Sequence, residues 1–223
     1  FGWNYLKLDD ITGKPAAYVL IARFIAAYDT PSKIIIQIYV ALLRAHQSEA
    51  KALVKQALDI VAPVLPKRIV MTAESPKNPT WARCTPRVLV EDGHSGSQLM
   101  NVYQLLVRHP DLFYESREHF MPQIVTTLSK LGLVQNAGMD SRTLTIKLAA
   151  LILKWERRRI TEAKTAMEVD TPATGEVAPT PVVTASYTPN LGLRENVVSF
   201  LVRFACAFPE PLSKKGLPFR AVE

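Results

Sequence analysis

The stretch from Pro31 to Arg68 constrains the fold more than any other part of the sequence. Pro31 follows Thr30, a pair that favours a helix start, because proline at the first helical position has no N–H to lose. Apolar residues then recur at every third or fourth position as far as Leu43, and again from Leu53 onward. The stripe is wide enough for a helix that packs on two neighbours. We therefore predict two amphipathic helices from the interior of a helical stack.

The predicted core positions of this pair follow helical spacing. In the first helix they are Ile34, Ile38 and Leu42, with Ile35, Tyr39 and Leu43 beside them; in the second they are Leu53, Ala57, Val61 and Leu65, with Val54 and Leu58. Pro63 and Pro66 are expected to kink or fray the end of the second helix.

The rest of the chain repeats the same design. Further helices are predicted at Thr12–Tyr28, from Ser95 to Pro110, within Asp111–Leu131 as one helix or as two pieces divided at Pro122, from Asp140 or Ser141 to the basic run at Arg159, and at Asn190–Phe208. The expected core faces are Val19, Leu20, Phe24 and Ala27; Leu99, Val102, Tyr103 and Leu106; Ile124, Val125, Leu128 and Leu131; Leu144, Leu148, Leu151, Ile152 and Trp155; and Leu193, Val197, Phe200, Leu201 and Phe204.

The helix starts near Ser95 and Ser141 are spaced as in HEAT or armadillo units, which repeat every ~40–47 residues. Short turns between helices favour antiparallel neighbours. The predicted fold is therefore an all-α, HEAT/armadillo-like α-solenoid of antiparallel helix pairs with one long disordered loop. A compact helical bundle is the alternative.

Two segments lack helical periodicity. Val70–Arg87 is rich in proline and is predicted to be a loop that Trp81 anchors against the helices. Thr161–Pro189 is rich in Thr, Pro, Ala and Val and is predicted to be a long flexible loop. The expected organisation is helical repeats over 1–160, the flexible loop over 161–189 and a continuing repeat over 190–223. Gly132 is expected to end its helix by adopting the left-handed conformation.

Bulk properties exclude some classes of protein. The longest apolar run, Ile34 to Leu43, is interrupted by Gln37 and is too short to cross a bilayer. The N-terminal residues do not resemble a signal peptide, and the chain reads as a fragment of something longer. Cys84 and Cys206 lie far apart and are expected to be free thiols in a reducing compartment. The net charge of +7 favours acidic partners or nucleic acid in principle, but the charge is spread along the chain and a solvated helical surface explains it better.

No catalytic or metal-binding constellation stands out. Gly93–Ser97 (GHSGS) lies where a nucleophile elbow would, but serine occupies the position of the last glycine in that motif. A helix cap formed by Ser95 with Gln98 explains the segment without catalysis. A hydrolase using Ser95 and His94 remains a minor alternative. The four histidines lack the spacing of metal ligands, and no glycine-rich phosphate loop is present. We expect no catalytic residue, no metal and no cofactor.

Six basic residues are the candidates for a protein-interaction surface: Lys51, Lys55, Lys154, Arg157, Arg158 and Arg159. Lys51 and Lys55 lie one turn apart on the predicted wet side of a helix. The run from Lys154 to Arg159 complements the negative end of a helix dipole. A charged helix end of this kind is more often only solvated than bound to a partner. The run lacks the interleaved aromatic residues of a single-strand binder, so direct nucleic-acid binding is not expected.

Several long strings resemble one family. They are YVALLRAHQSEAKALVKQALDIVAPVLPKR (Tyr39 to Arg68), LVEDGHSGSQLMNVYQLLVRHPDLFY (Leu89 to Tyr114), LKWERRR (Leu153 to Arg159), and the opening FGWNYLKLDD and AAYVLIARFIAAYDTP. This wording resembles the helical-repeat region of the transformation/transcription domain-associated protein family. The resemblance covers most of the chain apart from the two predicted loops.

The resemblance implies a giant pseudokinase scaffold, related to the phosphatidylinositol-3-kinase-like kinases and without catalytic residues in this region. It implies a nuclear co-activator subunit of histone acetyltransferase complexes, SAGA and the NuA class, with roles in chromatin modification and transcription regulation. The implied partners are neighbouring repeats of the same chain, other subunits and transcription activators, without a membrane. The repeat region of an active kinase of the related family is the alternative.

Overall fold

The computed structural model describes residues 13–45, 50–69, 79–91, 96–169 and 187–207. Within these ranges every regular element is helical. The α-helices are α1 Gly13–Ala27, α2 Ser32–Arg44, α3 Lys51–Val61, α4 Leu65–Arg68, α5 Thr80–Glu91, α6 Gly96–Arg108, α7 Met121–Gly132, α8 Met139–Val169 and α9 Leu191–Ala207, with 3₁₀ turns at Ala62–Val64 and Arg117–His119. None of these helices is both long and apolar enough to cross a membrane.

The chain divides into two compact units, Phe1–His119 and Phe120–Glu223. In the first unit, α1 packs along α3, α2 along α5, and α3 along α6. Sequence neighbours also touch, as α1 does with α2 and α5 with α6. With the short α4 counted as the end of α3, each of these helices meets its neighbour and the next helix but one, which gives the two alternating layers of an α-solenoid. The predicted all-α solenoid class is confirmed.

The second unit is organised around α7, which packs against both α8 and α9. Gly132 was expected to end α7 by adopting a left-handed conformation, but the structure gives a different reason for glycine at this position. A Cβ built on Gly132 would lie 2.9 Å from Oγ1 of Thr145 and 3.0 Å from the ring of Phe200. The residue that follows, Leu133, has an αR backbone with φ of −99°. Glycine is therefore required for close packing here, and not for a left-handed turn.

Most predicted core faces are buried. The clearest cases are Ile35, Ile38, Tyr39, Leu42 and Leu43 of α2, Val54, Ala57, Leu58 and Val61 of α3, and Leu144, Leu148, Leu151, Ile152 and Trp155 of α8. Ile34 is an exception and lies partly exposed at the edge of its stripe. Pro63 lies in the 3₁₀ turn Ala62–Val64 and Pro66 lies in the short α4, as expected for a kinked end. Pro122 lies in the first turn of α7 and so starts a separate helix.

The predicted core face of α1 is wrong. Leu20 and Phe24 are 62% and 52% exposed, and the buried residues are instead Pro15, Ala17, Tyr18, Ala22 and Ile25. Because α1 is apolar on nearly every side, its sequence does not select one face. Ala17 and Ala22 on the buried side let α1 approach α3 closely, and Leu20 and Phe24 lie on the outside.

The predicted loop at Val70–Arg87 is also wrong in part, because α5 occupies Thr80–Glu91. The carbonyl of Pro79 accepts the backbone N–H of Ala82, so the helix begins directly after that proline. Pro86 lies inside α5, where its ring removes one backbone hydrogen bond. The other residues of the predicted loop lie outside the described residues.

Tertiary contacts compensate for the unfavourable sequence of α5. Trp81 is buried, as predicted, and packs edge-on against Phe113 with 5.8 Å between ring centroids. The hydroxyls of Tyr39 and Thr85 share a buried hydrogen bond of 2.7 Å between α2 and α5. Burial, only partly opposed by this bond, raises the pKa of the Tyr39 phenol far above its ordinary value. Phe113 and Tyr39, which lie in neighbouring parts of the chain's fold, therefore hold α5 in place.

The C-terminal end of α2 is satisfied by a side chain from α6. The amide nitrogen of Asn101 donates to the carbonyl oxygens of Leu42 and Ala45, each at 3.2 Å. The last carbonyls of a helix have no partner within it and need one from elsewhere. Asn101 thereby fixes the end of α2 against α6.

The boundary predicted at the start of the loop Thr161–Pro189 is wrong, because α8 continues to Val169. Alanine, lysine and glutamate in this part are strong helix formers. The hydroxyls of Thr161 and Thr165 donate to carbonyls one turn earlier, so they do not compete with the helix. Residues 170–186 lie outside the described residues, and the flexible character of that segment stays a prediction.

Cys84 is half-buried and Cys206 is exposed, and both are free thiols as expected. Burial raises the pKa of the Cys84 thiol, which keeps it protonated and unreactive.

Candidate interaction surfaces

Lys51 and Lys55 lie one turn apart on α3, and both are exposed. Val54, Ala57 and Leu58 face the core, and the two lysines flank this buried stripe where α3 meets solvent. Among the described residues, neither lysine takes part in an ion pair. Their charges are therefore available to a partner.

A groove of about 1010 Å³ runs between α1 and α3 beside this pair. Ala26 and Ala27 of α1 and Ala52 of α3 form part of its lining, together with longer side chains of both helices. Alanines reach only a short distance from each backbone, so they leave an apolar depression where two longer side chains would have met.

Two cations border this groove, Arg23 from α1 and Lys55 from α3. Sequence reasoning singled out Lys55 and missed Arg23. The signal for Arg23 was faint: it is the one charged residue between Lys14 and Asp29 in an otherwise apolar segment. Its proximity to α3 depends on how the two helices pair, and the spacing within α1 does not contain that information.

The groove also contains one carboxylate, that of Asp59, which already has two partners within the protein. Its Oδ1 accepts a 2.6 Å hydrogen bond from Nε of Arg108 and lies 2.9 Å from Nε2 of His109. Partial burial alone would raise the pKa of this carboxyl, but the bonds from Arg108 and His109 outweigh burial and hold it below its ordinary value. Asp59 is therefore charged at neutral pH, and the guanidinium of Arg108 at the end of α6 balances its charge.

The basic run of α8 belongs to the second unit, and Lys51 and Lys55 belong to the first. Arg158 donates to Glu162 at 2.8 Å, and Arg159 forms an ion pair of 3.1 Å with the partly buried Glu156. Lys154 and Arg157 are exposed. The charges of Arg158 and Arg159 are thus balanced within α8 itself, which is how a solvated helix face is usually built.

No group of three or more His, Cys, Asp or Glu side chains that could hold a metal ion occurs in the part of the chain that the structure describes. His94 and Ser95 of the hydrolase alternative lie outside that part, as does the cap predicted for Ser95. His109 belongs to the Asp59 cluster, and Nε2 of His119 lies 3.3 Å from a carboxylate oxygen of Glu118.

Comparison with known proteins gives a consistent result. A family model described as the Tra1 HEAT repeat ring region matches residues 1–223. "Probable transcription-associated protein 1" of Dictyostelium discoideum is 48% identical over 160 residues, which are 72% of this chain and 3% of that protein. "SAGA complex/NuA4 acetyltransferase complex subunit TRA1" of Saccharomyces cerevisiae is 36% identical over 239 positions, covering 100% of this chain and 6% of that protein.

"Transformation/transcription domain-associated protein" of Homo sapiens is 31% identical over 163 residues, 73% of this chain and 4% of that protein. The chain therefore spans only a small part of the length of each of these relatives.

Proposed function

Since this chain belongs to the Tra1 HEAT repeat ring family, we propose that it is a scaffold segment of a nuclear co-activator subunit shared by SAGA- and NuA4-type histone acetyltransferase complexes. The observation that carries the proposal is the match over the full chain to the yeast protein whose name gives it as a subunit of both complexes. In this function the segment supports assembly of subunits and docking of transcription activators, and it contributes no catalytic residue and no cofactor site.

The packing supports a structural role for the apolar faces. The helices of each unit bury continuous apolar stripes against neighbouring helices, and this pattern serves to hold a surface in shape. Recognition then falls to exposed side chains that the core does not use. We propose Lys51 and Lys55 in the first unit, and Lys154, Arg157, Arg158 and Arg159 in the second, as positions where other subunits or activators contact the segment.

The test is a chimera of the yeast relative in which this chain replaces the segment that it matches. The expected result is that acetyltransferase activity on nucleosomes co-purifies with the chimera. The control carries Leu148→Asp, which puts a charge into the core of α8 and should abolish incorporation. A chimera that accumulates as folded protein but co-purifies with no other subunit would refute the proposed function.

A further inference from the structure

We propose that Thr161 of α8 is a phosphorylation site for a basophilic protein kinase, that is, a kinase whose substrate groove is acidic. The inference goes beyond the proposed function and does not depend on it. Three observations carry it: the arginines that precede Thr161, the exposure of its side chain, and the exposure of the described residues of α8 that follow it.

Arginines stand two and three residues before Thr161, in the string RRRIT that runs from Arg157 to Thr161. No other serine or threonine in the 223-residue sequence has arginine at both of these positions. Enzymes of this class select their substrates by charge patterns, and a guanidinium group pairs strongly with a carboxylate in a substrate groove. The pattern therefore distinguishes one hydroxyl from all the others in the chain.

The end of α8 is accessible to an enzyme. Trp155 is the last buried residue in the described part of α8, and residues 160–166 are all exposed. Protein kinases bind the acceptor segment in an extended conformation, so these turns must open before the transfer. A helix end that buries little apolar surface opens at low cost, without unfolding the rest of the protein.

Two ion pairs of α8 oppose this opening to different degrees. The pair of Arg158 with Glu162, at 2.8 Å, is exposed on both sides and contributes little. The pair of Arg159 with Glu156, at 3.1 Å, is partly buried, so it holds the helix more firmly. Only the second pair ties the acceptor segment to the packed part of α8, and opening of the segment needs no further buried contact among the described residues.

The phosphoryl group comes from ATP, which the kinase binds with Mg²⁺. Oγ1 of Thr161 attacks the γ-phosphorus and forms the new O–P bond. The bond from the γ-phosphorus to the bridging oxygen breaks, and ADP leaves with the electron pair. The hydroxyl proton passes to a carboxylate base of the kinase and from there to solvent.

Phosphorylation would change the charge of this part of α8. Within Lys154–Glu162 four basic residues outnumber two glutamates by two, and a phosphate carries about two negative charges near neutral pH. Arg157 lies one turn before Thr161, is exposed, and takes part in no ion pair among the described residues, so it is placed to pair with the phosphate. The modification therefore neutralises the basic run.

The test incubates the folded 223-residue chain with ATP, Mg²⁺ and the catalytic subunit of cAMP-dependent protein kinase, a basophilic kinase. Peptide mass spectrometry locates the phosphate, and initial rates give kcat/KM for the chain as substrate. The expected result is a single phosphate, on Thr161. Thr161→Val should abolish its incorporation. Arg158→Ala, which removes the arginine three residues before the acceptor, should lower kcat/KM at least about tenfold.

The matched control is Arg157→Ala, which removes the same charge at the adjacent position and should change kcat/KM by less than about twofold. Thr165 is an internal control. It is exposed, and its hydroxyl donates to the carbonyl of Thr161 at 3.0 Å, just as the Thr161 hydroxyl donates to that of Arg157 at 3.0 Å. Glu162 stands three residues before Thr165, so Thr165 should stay unmodified.

Circular dichroism and Tm show that each variant is folded, and a synthetic peptide of residues 154–166 shows that the kinase is active. The inference is overturned if the peptide is phosphorylated on Thr161 and the folded chain is not. It is also overturned if Arg158→Ala is modified as fast as the unaltered chain, or if Thr165 accepts phosphate as readily as Thr161 does.

Discussion

Gly132 is a position in the second unit where even a methyl group would be crowded. Its hydrogen atoms face the hydroxyl of Thr145 and the ring of Phe200, both fully or almost fully buried. We predict that Gly132→Ala lowers the free energy of unfolding by about 1–2 kcal/mol, because neither neighbour can move away from the new methyl group. Urea unfolding followed by circular dichroism measures the change.

Gly96 provides the control for Gly132. It is the first residue of α6, and a Cβ built there meets nothing within 4 Å. Gly96→Ala should therefore be neutral or stabilise by up to about 1 kcal/mol, because alanine restricts the unfolded chain. Equal losses of stability in the two variants would show that crowding is not the cause.

Asp59 gives stability that depends on pH. Asp59→Asn keeps the shape but removes the charge facing Arg108 and His109, and should cost about 1–2 kcal/mol at neutral pH. The folded pKa of Asp59 lies below its unfolded value. Its contribution is therefore fully present above the ordinary aspartate pKa of about 4 and is lost as pH falls through the lower folded value.

Urea midpoints of Asp59→Asn and the unaltered chain, compared near neutral pH and below the folded pKa, measure this contribution. The difference between the two proteins should shrink on acidification. Glu162→Gln is the control, since its pair with Arg158 is exposed and should matter by no more than about 0.5 kcal/mol. A difference for Asp59→Asn that persists at low pH would contradict the assignment.

At the scale of elements, one part of α8 packs in the core and the other part is exposed to solvent. Ala149 is buried in the first part, and Ala163 is exposed in the second. We predict that Ala149→Gly costs about 2 kcal/mol, through lost helix propensity and a lost buried methyl group. Ala163→Gly should change global stability by less than about 0.5 kcal/mol, because an unpacked helix end opens without unfolding the rest.

Urea unfolding measures the global stability of the two variants of α8, and hydrogen exchange measures local opening along the helix. In the unaltered chain, amides near Ala149 should exchange slowly and those near Ala163 quickly. Similar protection in both places would mean that the end of α8 is held by contacts that its exposure does not suggest.

The helices that the sequence predicts well are those whose apolar residues occupy one face. In α2 the stripes include every buried residue, because spacing alone determines which side is apolar. In α8 the stripe identifies five buried residues and misses Thr145, Ile146 and Ala149. In α1 the apolar residues surround the helix, so only the packing on α3 selects Ala22 and Ile25 for burial. The local sequence of α5 is unfavourable for a helix, because Pro86 lies inside it. The residues that stabilise it by contacting Trp81 and Thr85 lie far away in sequence.

The features of the candidate surface also divide into those that the sequence predicts and those that it does not. Lys51 and Lys55 are exposed, as predicted, although they lie beside the buried stripe of α3. The role of Arg23 in the groove, and the pairing of Asp59 with Arg108 and His109, depend on which helices meet. A single sequence does not encode that choice in its spacing, so neither feature was predicted.

At the scale of the whole molecule, large apolar side chains remain uncovered. Leu20, Phe24 and Tyr28 form an exposed stripe on α1, and the rings of Phe24 and Tyr28 lie 4.9 Å apart. Exposed apolar patches of this kind favour association. We predict that the isolated chain self-associates as its concentration rises, and that sedimentation velocity detects this.

Phe24→Glu should weaken the association, because it puts a charge in the middle of the stripe on α1. Lys33→Gln, which changes the net charge by the same amount at an exposed position of α2, should leave it unaltered. A single species of monomer mass at every concentration would contradict the prediction.

The pairing of each helix with the next but one also has a consequence for biosynthesis. A ribosome delivers about 5–20 residues per second, and contacts between elements close in sequence form much faster than that. When α3 emerges, α1 is already available to receive it, and when α5 emerges, α2 is waiting. The first unit can thus gain its core one helix at a time while translation continues. A pause in synthesis between α2 and α5 would leave the apolar face of α2 without its cover, so this interval is where the nascent chain most needs protection from aggregation.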